Sequence, residues 1–294
     1  MAQNIIPTRK VPEKATSYAD FLLCYSSSRF VGEESLMRSV LTKVGSIGLF
    51  FSVYCLVRYL LFRKRLVIIG WDTFLKLVEE CDGKCIIASN HPTLWEPIFI
   101  KVLLWNWYKK DFSRHPKNVT AVDELRLYPQ YIQVLFKFAG LIPINRDVRS
   151  SGKGMYLGMA HALKKNCPII VCPEARCTAT PANPERVFES NETYPVCPEK
   201  RAPHTKQPYM LMPQDKVLVF ACREQVPIIT AKVTLGAPLW LMSESHRHEL
   251  KKIWECGMTI EFSDSLLTPK ENTTATEFAH AILNPTHKNT EHRE

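Results

Sequence analysis

From Leu66 to Val233 the sequence alternates short apolar runs with stretches of helical periodicity, and few architectures accept that pattern. The runs "LVIIGW", "KCIIAS", "NVTAVDE", "LIPINR", "PIIVCPE" and "VPIITAKV" read as strands. Between them, "DTFLKLVEE", "PIFIKVLLWNWYKK", "QYIQVLFKFAG" and "KGMYLGMAHALKK" read as helices. Strands separated by helices of about ten residues imply crossover connections. The expected fold class is therefore α/β, a mostly parallel sheet flanked by helices. A chain of 294 residues holds one large domain with an appendage, or two small ones.

The flanks differ from this body. Ahead of it lies "GSIGLFFSVYCLVRYLLFRKR", Gly45 to Arg65, apolar to Phe62, interrupted by Arg58 and closed by Arg63, Lys64 and Arg65. Residues 1–65 thus read as an N-terminal region with a membrane-anchoring helix at about 45–62. A spanning helix needs about 20 apolar residues, so crossing the bilayer, lying in its interface with Arg58 snorkelling, and packing as a core helix all stay open. If the helix spans, the basic cluster keeps the body on the cytosolic side. The first twenty residues show no signal-peptide apolar core. From about 177 to 215 prolines recur and periodicity vanishes, which marks an insertion in a body running over 66–283. The tail, 284–294, is polar.

The net charge of +9 favours anionic partners, a membrane surface or phosphorylated molecules. The cations are scattered, with no basic helical face or RNA-binding spacing, so nucleic acid is not expected. Ten cysteines sit mostly in apolar runs, where a thiol behaves as a small buried hydrophobe. The spacings Cys81-x3-Cys85 and Cys167-x4-Cys172-x4-Cys177 fit no zinc pattern, and no metal is expected.

In "IIASNHPTLWEPIFI" a histidine and a glutamate stand five positions apart. One reading makes Thr93-Leu94-Trp95-Glu96 a capping box, with Glu96 turned back to the Thr93 amide and Pro97 in the first turn. The other makes His91 and Glu96 an acid/base dyad. On a continuous helix residues five apart diverge by about 140°, so the pair meets only with His91 in the loop after the strand and Glu96 in the first helical turn. A carboxylate on one imidazole nitrogen would leave the other to take a proton.

"NHPTLWEP" resembles the Asn-His-x4-Asp-Pro signature of the glycerophosphate and lysophospholipid acyltransferase superfamily, with Glu in place of Asp. Three further blocks follow in the family's order. "FKFAGLIPINRD" is similar to Gly-x-Ile-x-Ile-x-Arg, giving Gly140 and Arg146. "IIVCPEARC" is similar to Phe-Pro-Glu-Gly-Thr-Arg, giving Pro173 and Glu174. "VPIITAKV" is similar to the Val-Pro-Ile-x-Pro-Val strand, giving Val226, Pro227 and Ile228.

The resemblance implies an O-acyltransferase of phospholipid biosynthesis associated with a membrane. The basic cluster after the apolar segment and cysteines of the reduced, structural kind give the expectation that its active site faces the cytosol. The enzyme so implied would move a fatty acyl group from acyl-CoA or acyl carrier protein, as co-substrate, to a lysophospholipid, 1-acylglycerol-3-phosphate first. His91 would be the general base and Glu96 its orienting partner, with no covalent intermediate, metal or cofactor. Arg146, Glu174 and Arg176 would bind the acceptor, the arginines at its phosphate. Three features depart from the family: Glu96 for Asp, Pro-Glu-Ala-Arg in the third block, and the Pro-rich insertion after it. They leave two alternatives, a remodelling enzyme for lysophospholipids with a head group and a degenerate protein that binds lipid or acyl-CoA.

Overall fold

The computed structural model describes residues 48, 51–93, 95–109, 111, 114–121, 141–144, 151–174, 213–236 and 249–286. The helix expected over "QYIQVLFKFAG", most of the Pro-rich insertion and most of the tail lie outside them. The chain divides into two compact units, Met1–Leu49 with Lys117–Ala162, and Phe50–Pro116 with Leu163–Glu294.

The larger unit opens with α1, residues 51–62, followed by β1 (Leu66–Ile69) and α2 (Trp71–Glu80). Next come β2 (Ile86–Ser89), α3 (Glu96–Leu103) and the short α4 (Trp105–Tyr108). The smaller unit holds β3 (Lys117–Ala121) and β4 (Leu141–Ile144), and α5 runs from Ser151 to Lys164. The larger unit then continues through β5 (Ile169–Val171), α6 (Lys216–Arg223), β6 (Ile228–Leu235), α7 (Glu249–Cys256), β7 (Met258–Leu267) and α8 (Ala275–Leu283). Every strand expected from the sequence is present, and the class is α/β.

In the larger unit the strands lie side by side as β1-β7-β6-β2-β5. Pairing is parallel for β1 with β7, β2 with β6 and β2 with β5, and antiparallel for β6 with β7. In the smaller unit β3 and β4 pair in parallel. The central strands are apolar on both faces: all of β2 and β5 is buried, as a parallel sheet covered by helices requires. β7 escapes the reading by apolar runs because it alternates. Met258, Ile260 and Phe262 are buried while Thr259 and Glu261 are partly exposed.

Helix α2 buries Phe74, Leu77 and Val78, and Phe74 stacks on Phe262 of β7 with ring centroids 3.9 Å apart. Burying a phenylalanine contributes about 1.5–3 kcal/mol, so this contact is a principal tie between helix and sheet. Gly70 makes the turn between β1 and α2 at φ +75°, and a Cβ there would stand 2.6 Å from the Phe262 carbonyl oxygen. No other residue fits that turn without moving β7.

Among the described residues, no helix is long and apolar enough to cross a membrane. The N-terminal membrane anchor expected from the sequence is therefore not shown. Of the segment at about 45–62, residues 48 and 51–62 are described, and there α1 buries Val53, Val57 and Leu60 along one stripe and leaves Phe51, Arg58, Tyr59 and Phe62 exposed. Spacing of four and three residues is that of an amphipathic helix on a packed surface. After Phe62 the chain turns through Lys64 at φ 54°, and Arg65 N–H bonds Leu60 O at 2.8 Å, ending the helix.

Candidate functional site

The site is built where β2 ends. Asn90, next after the strand, is 1% exposed. Its side-chain Nδ2 donates to Val233 O at 2.9 Å, and the Val233 N–H donates to Asn90 Oδ1 at 2.6 Å. The amide thus behaves as an extra peptide group on the edge of β6. It satisfies the ladder while the main chain of residue 90 turns away, and that turn delivers His91 to the carboxyl end of the sheet. Ligands bind at this end of open parallel sheets.

The His91 N–H donates to Glu174 Oε1 at 2.5 Å. Glu174 comes from the carboxyl end of β5, the strand beside β2, and is fully buried. Glu174 is expected from the family resemblance in the acceptor site; the structure places one of its oxygens on the histidine backbone.

His91 Nδ1 is hydrogen-bonded directly to Glu96 Oε1. The other oxygen, Oε2, accepts from Thr93 Oγ1 at 2.5 Å, and Thr93 Oγ1 accepts in turn from the Trp95 N–H at 3.0 Å. The capping box is not formed. α3 starts at Glu96 after Trp95, with no side-chain cap and with Pro97 in the first turn. Glu96 looks inward to the imidazole instead of back along its own helix. The same four-residue device does form at α8, where Thr274 and Glu277 bond each other's backbone N–H, so its absence at α3 reflects the competing partner.

Burial is the larger influence on Glu96 and pushes its carboxyl above the usual range, while the bonds from His91 and Thr93 pull it down. With the carboxylate ionised, Nδ1 carries the ring proton and Nε2 keeps the lone pair. The pair can then hold a proton on Nε2 and balance the resulting imidazolium charge.

Beside the pair lies Cys172, the residue after β5, with Sγ 3.6 Å from Ser89 Oγ. Burial pushes its thiol up, and His91 offsets this in part. A thiol so placed is no resting thiolate. Sequence spacing could not bring Cys172 to His91, because the two are 81 positions apart and meet only through strand pairing. Asn90 and Thr93 lie within the first motif, but no role could be read for them without the β6 edge and the carboxylate orientation. Arg146, Arg176 and Ala175 lie outside the described residues.

A family model described as Acyltransferase matches residues 72–233. Comparison with curated protein sequences finds no match. The family match takes in the whole strand-end cluster from Asn90 to Val233 and more than half of the chain, so the chain belongs to the acyltransferase family and is an acyltransferase enzyme.

Proposed function

We propose that this acyltransferase moves a fatty acyl group from acyl-CoA or acyl carrier protein to the hydroxyl of a lysophospholipid, 1-acylglycerol-3-phosphate being the first choice. The observation that carries the reading is the hydrogen-bonded His91–Glu96 pair at the carboxyl end of the parallel strands. In this reading the acceptor hydroxyl gives its proton to His91 Nε2 as its oxygen attacks the thioester carbonyl. Glu96 balances the imidazolium. The carbon–sulfur bond breaks, and the departing thiolate takes the proton back from His91. Neither a resident metal nor a covalent enzyme intermediate is called on.

Arg146 and Arg176 are the proposed phosphate ligands, since a guanidinium matches phosphate oxygens in a planar fork. Membrane association, with the site facing the cytosol, is also part of the proposal. It is supported by the exposed Phe51, Tyr59 and Phe62 beside Arg58, Arg63, Lys64 and Arg65. The block Pro173-Glu174-Ala175-Arg176 favours one second reading, an acceptor with a larger head group.

The test is acyl transfer from radiolabelled acyl-CoA and acyl carrier protein to a panel of lysophospholipids in detergent. Wild type and His91→Ala are compared. Turnover lost with His91 supports the proposal, and the preferred acceptor decides between its two forms. Lipid binding by a folded preparation that turns over no acceptor would replace it with a non-catalytic function.

A further inference from the structure

The reaction above uses His91 and Glu96 and leaves Cys172 without a task. A nitrogen of His91, a carboxylate oxygen of Glu96 and the Cys172 sulfur all lie within 4.8 Å of one another. Among the described residues, no other three His, Cys, Asp or Glu side chains converge in this way. The first two come from the loop after β2 and the start of α3, and the third from the end of β5.

Imidazole nitrogen, thiolate sulfur and carboxylate oxygen together are a donor set for zinc and its neighbours, while magnesium and calcium want oxygen throughout. With zinc bonds of about 2.0–2.3 Å, tetrahedral donors stand roughly 3.3–3.8 Å apart, so closing on the ion asks for side-chain movements of about an ångström. A dication with one thiolate and one carboxylate is a neutral centre, which matters where burial makes net charge expensive. Ser89 Oγ, 3.6 Å from the sulfur, supplies an outer hydrogen-bond partner of the kind that orients metal ligands.

We propose that His91, Glu96 and Cys172 form an inhibitory site for a zinc-class divalent cation. Binding displaces the thiol proton to solvent and engages the imidazole. Ligation through Nε2 takes the basic lone pair itself. Ligation through Nδ1 leaves the neutral ring with its proton on Nε2. In either case the acceptor's proton has nowhere to go, and acyl transfer stops. The inhibition rests on the acyl-transfer reading above, whereas the cation binding does not.

The full chain, reduced and stripped with a chelator, is titrated with cobalt(II). One equivalent is expected to produce a near-ultraviolet thiolate-to-cobalt charge-transfer band. That band disappears in Cys172→Ser and in His91→Ala and survives in Cys222→Ser, the control for the other cysteines. Zinc(II) bleaches it and blocks alkylation of Cys172 in the wild type, read by mass spectrometry, which needs no variant to fold. Zinc also stops acyl transfer and a chelator restores it. Relative to its own uninhibited rate, Cys172→Ser is less zinc-sensitive by tenfold or so, the scale of a weakened metal site. A band that persists in folded Cys172→Ser, no band at all, or alkylation of Cys172 unaffected by zinc overturns the proposal. If no acceptor is acylated, the acyl-transfer reading fails and the cobalt and alkylation results still decide this one.

Discussion

The backbone N–H of His91 is held by the carboxylate of Glu174 at 2.5 Å, across the gap between two adjacent strand ends. Both partners are buried, so neither can exchange this bond for water. Glu174→Ala leaves a buried donor unpaired at a cost of about 1–3 kcal/mol and frees the loop carrying the base. A displacement of about an ångström lowers turnover on the order of 100-fold. The expected result is a fall in kcat with a lower melting temperature, while Glu174→Gln, which keeps an acceptor, recovers most of the stability. A rise in KM alone, with kcat intact, would put Glu174 on the acceptor instead.

Glu96 is one methylene longer than the aspartate of the motif it resembles, and the structure uses that length. Its two oxygens reach His91 and Thr93 in separate directions. Glu96→Asp withdraws the carboxylate from both, so activity is expected to fall by at least about tenfold, with 100-fold the scale for an ångström of misplacement. An increase in acyl transfer by Glu96→Asp would show that the longer arm is a defect.

Burial raises the Glu96 carboxyl above its ordinary value of 4.5. A folded state that holds this proton more tightly than the unfolded chain gains from it at low pH. That stability is fully present below 4.5 and is lost as pH rises through the raised folded value. Glu96→Gln removes the titration while keeping the side chain's shape. In chelator-containing buffer, its melting temperature relative to wild type is expected to climb from pH 4.5 towards neutrality even though activity is lost. A difference that stays flat over that window would mean the carboxyl is not raised.

The buried strands were legible because they are continuous apolar runs: "KCIIAS" and "PIIVCPE" show burial on both faces directly in their composition. A meeting of His91 with Glu96 is permitted by a strand-to-helix turn between them, but local geometry fits the capping box equally well, and it is the resemblance of the four motif blocks that favours the pair. Other features depend on pairing that no local pattern encodes. β7 comes next to β6 in the chain order of strands yet runs antiparallel and separates β6 from β1. Cys172 meets His91 because β5 lies beside β2. "TLWE" satisfies the capping pattern as well as "TATE" does, and only the nearby imidazole decides that Glu96 turns inward. In α1 hydropathy shows an apolar segment but not its sides: that Val53, Val57 and Leu60 face the protein while Phe51 and Phe62 face outward is set by packing.

Asn90 offers a test of how the loop is set. Its amide uses one donor and one acceptor on Val233. Asn90→Asp keeps the acceptor, leaves the Val233 carbonyl without its donor and buries a charge, so a loss of about 1–3 kcal/mol in urea unfolding is expected. Because His91 is the next residue, kcat should fall as well. An Asn90→Asp protein with wild-type stability and turnover would mean that the loop does not depend on this bridge.

The exposed side of α1 tests the membrane proposal apart from the chemistry. Phe51 is 69% and Phe62 81% exposed, so neither contributes much to packing. Arg63, Lys64 and Arg65 follow at once and are exposed as well. Each phenylalanine that enters a lipid interface gains up to about 1.5–3 kcal/mol. The double variant Phe51→Ser/Phe62→Ser should therefore lose at least about tenfold in binding to vesicles containing anionic lipid. Its unfolding free energy should stay within about 0.5 kcal/mol of wild type, as for surface changes generally. Val57→Ser, on the buried stripe, should do the reverse and destabilise the fold. Vesicle binding that survives the double variant would place the membrane contact outside α1.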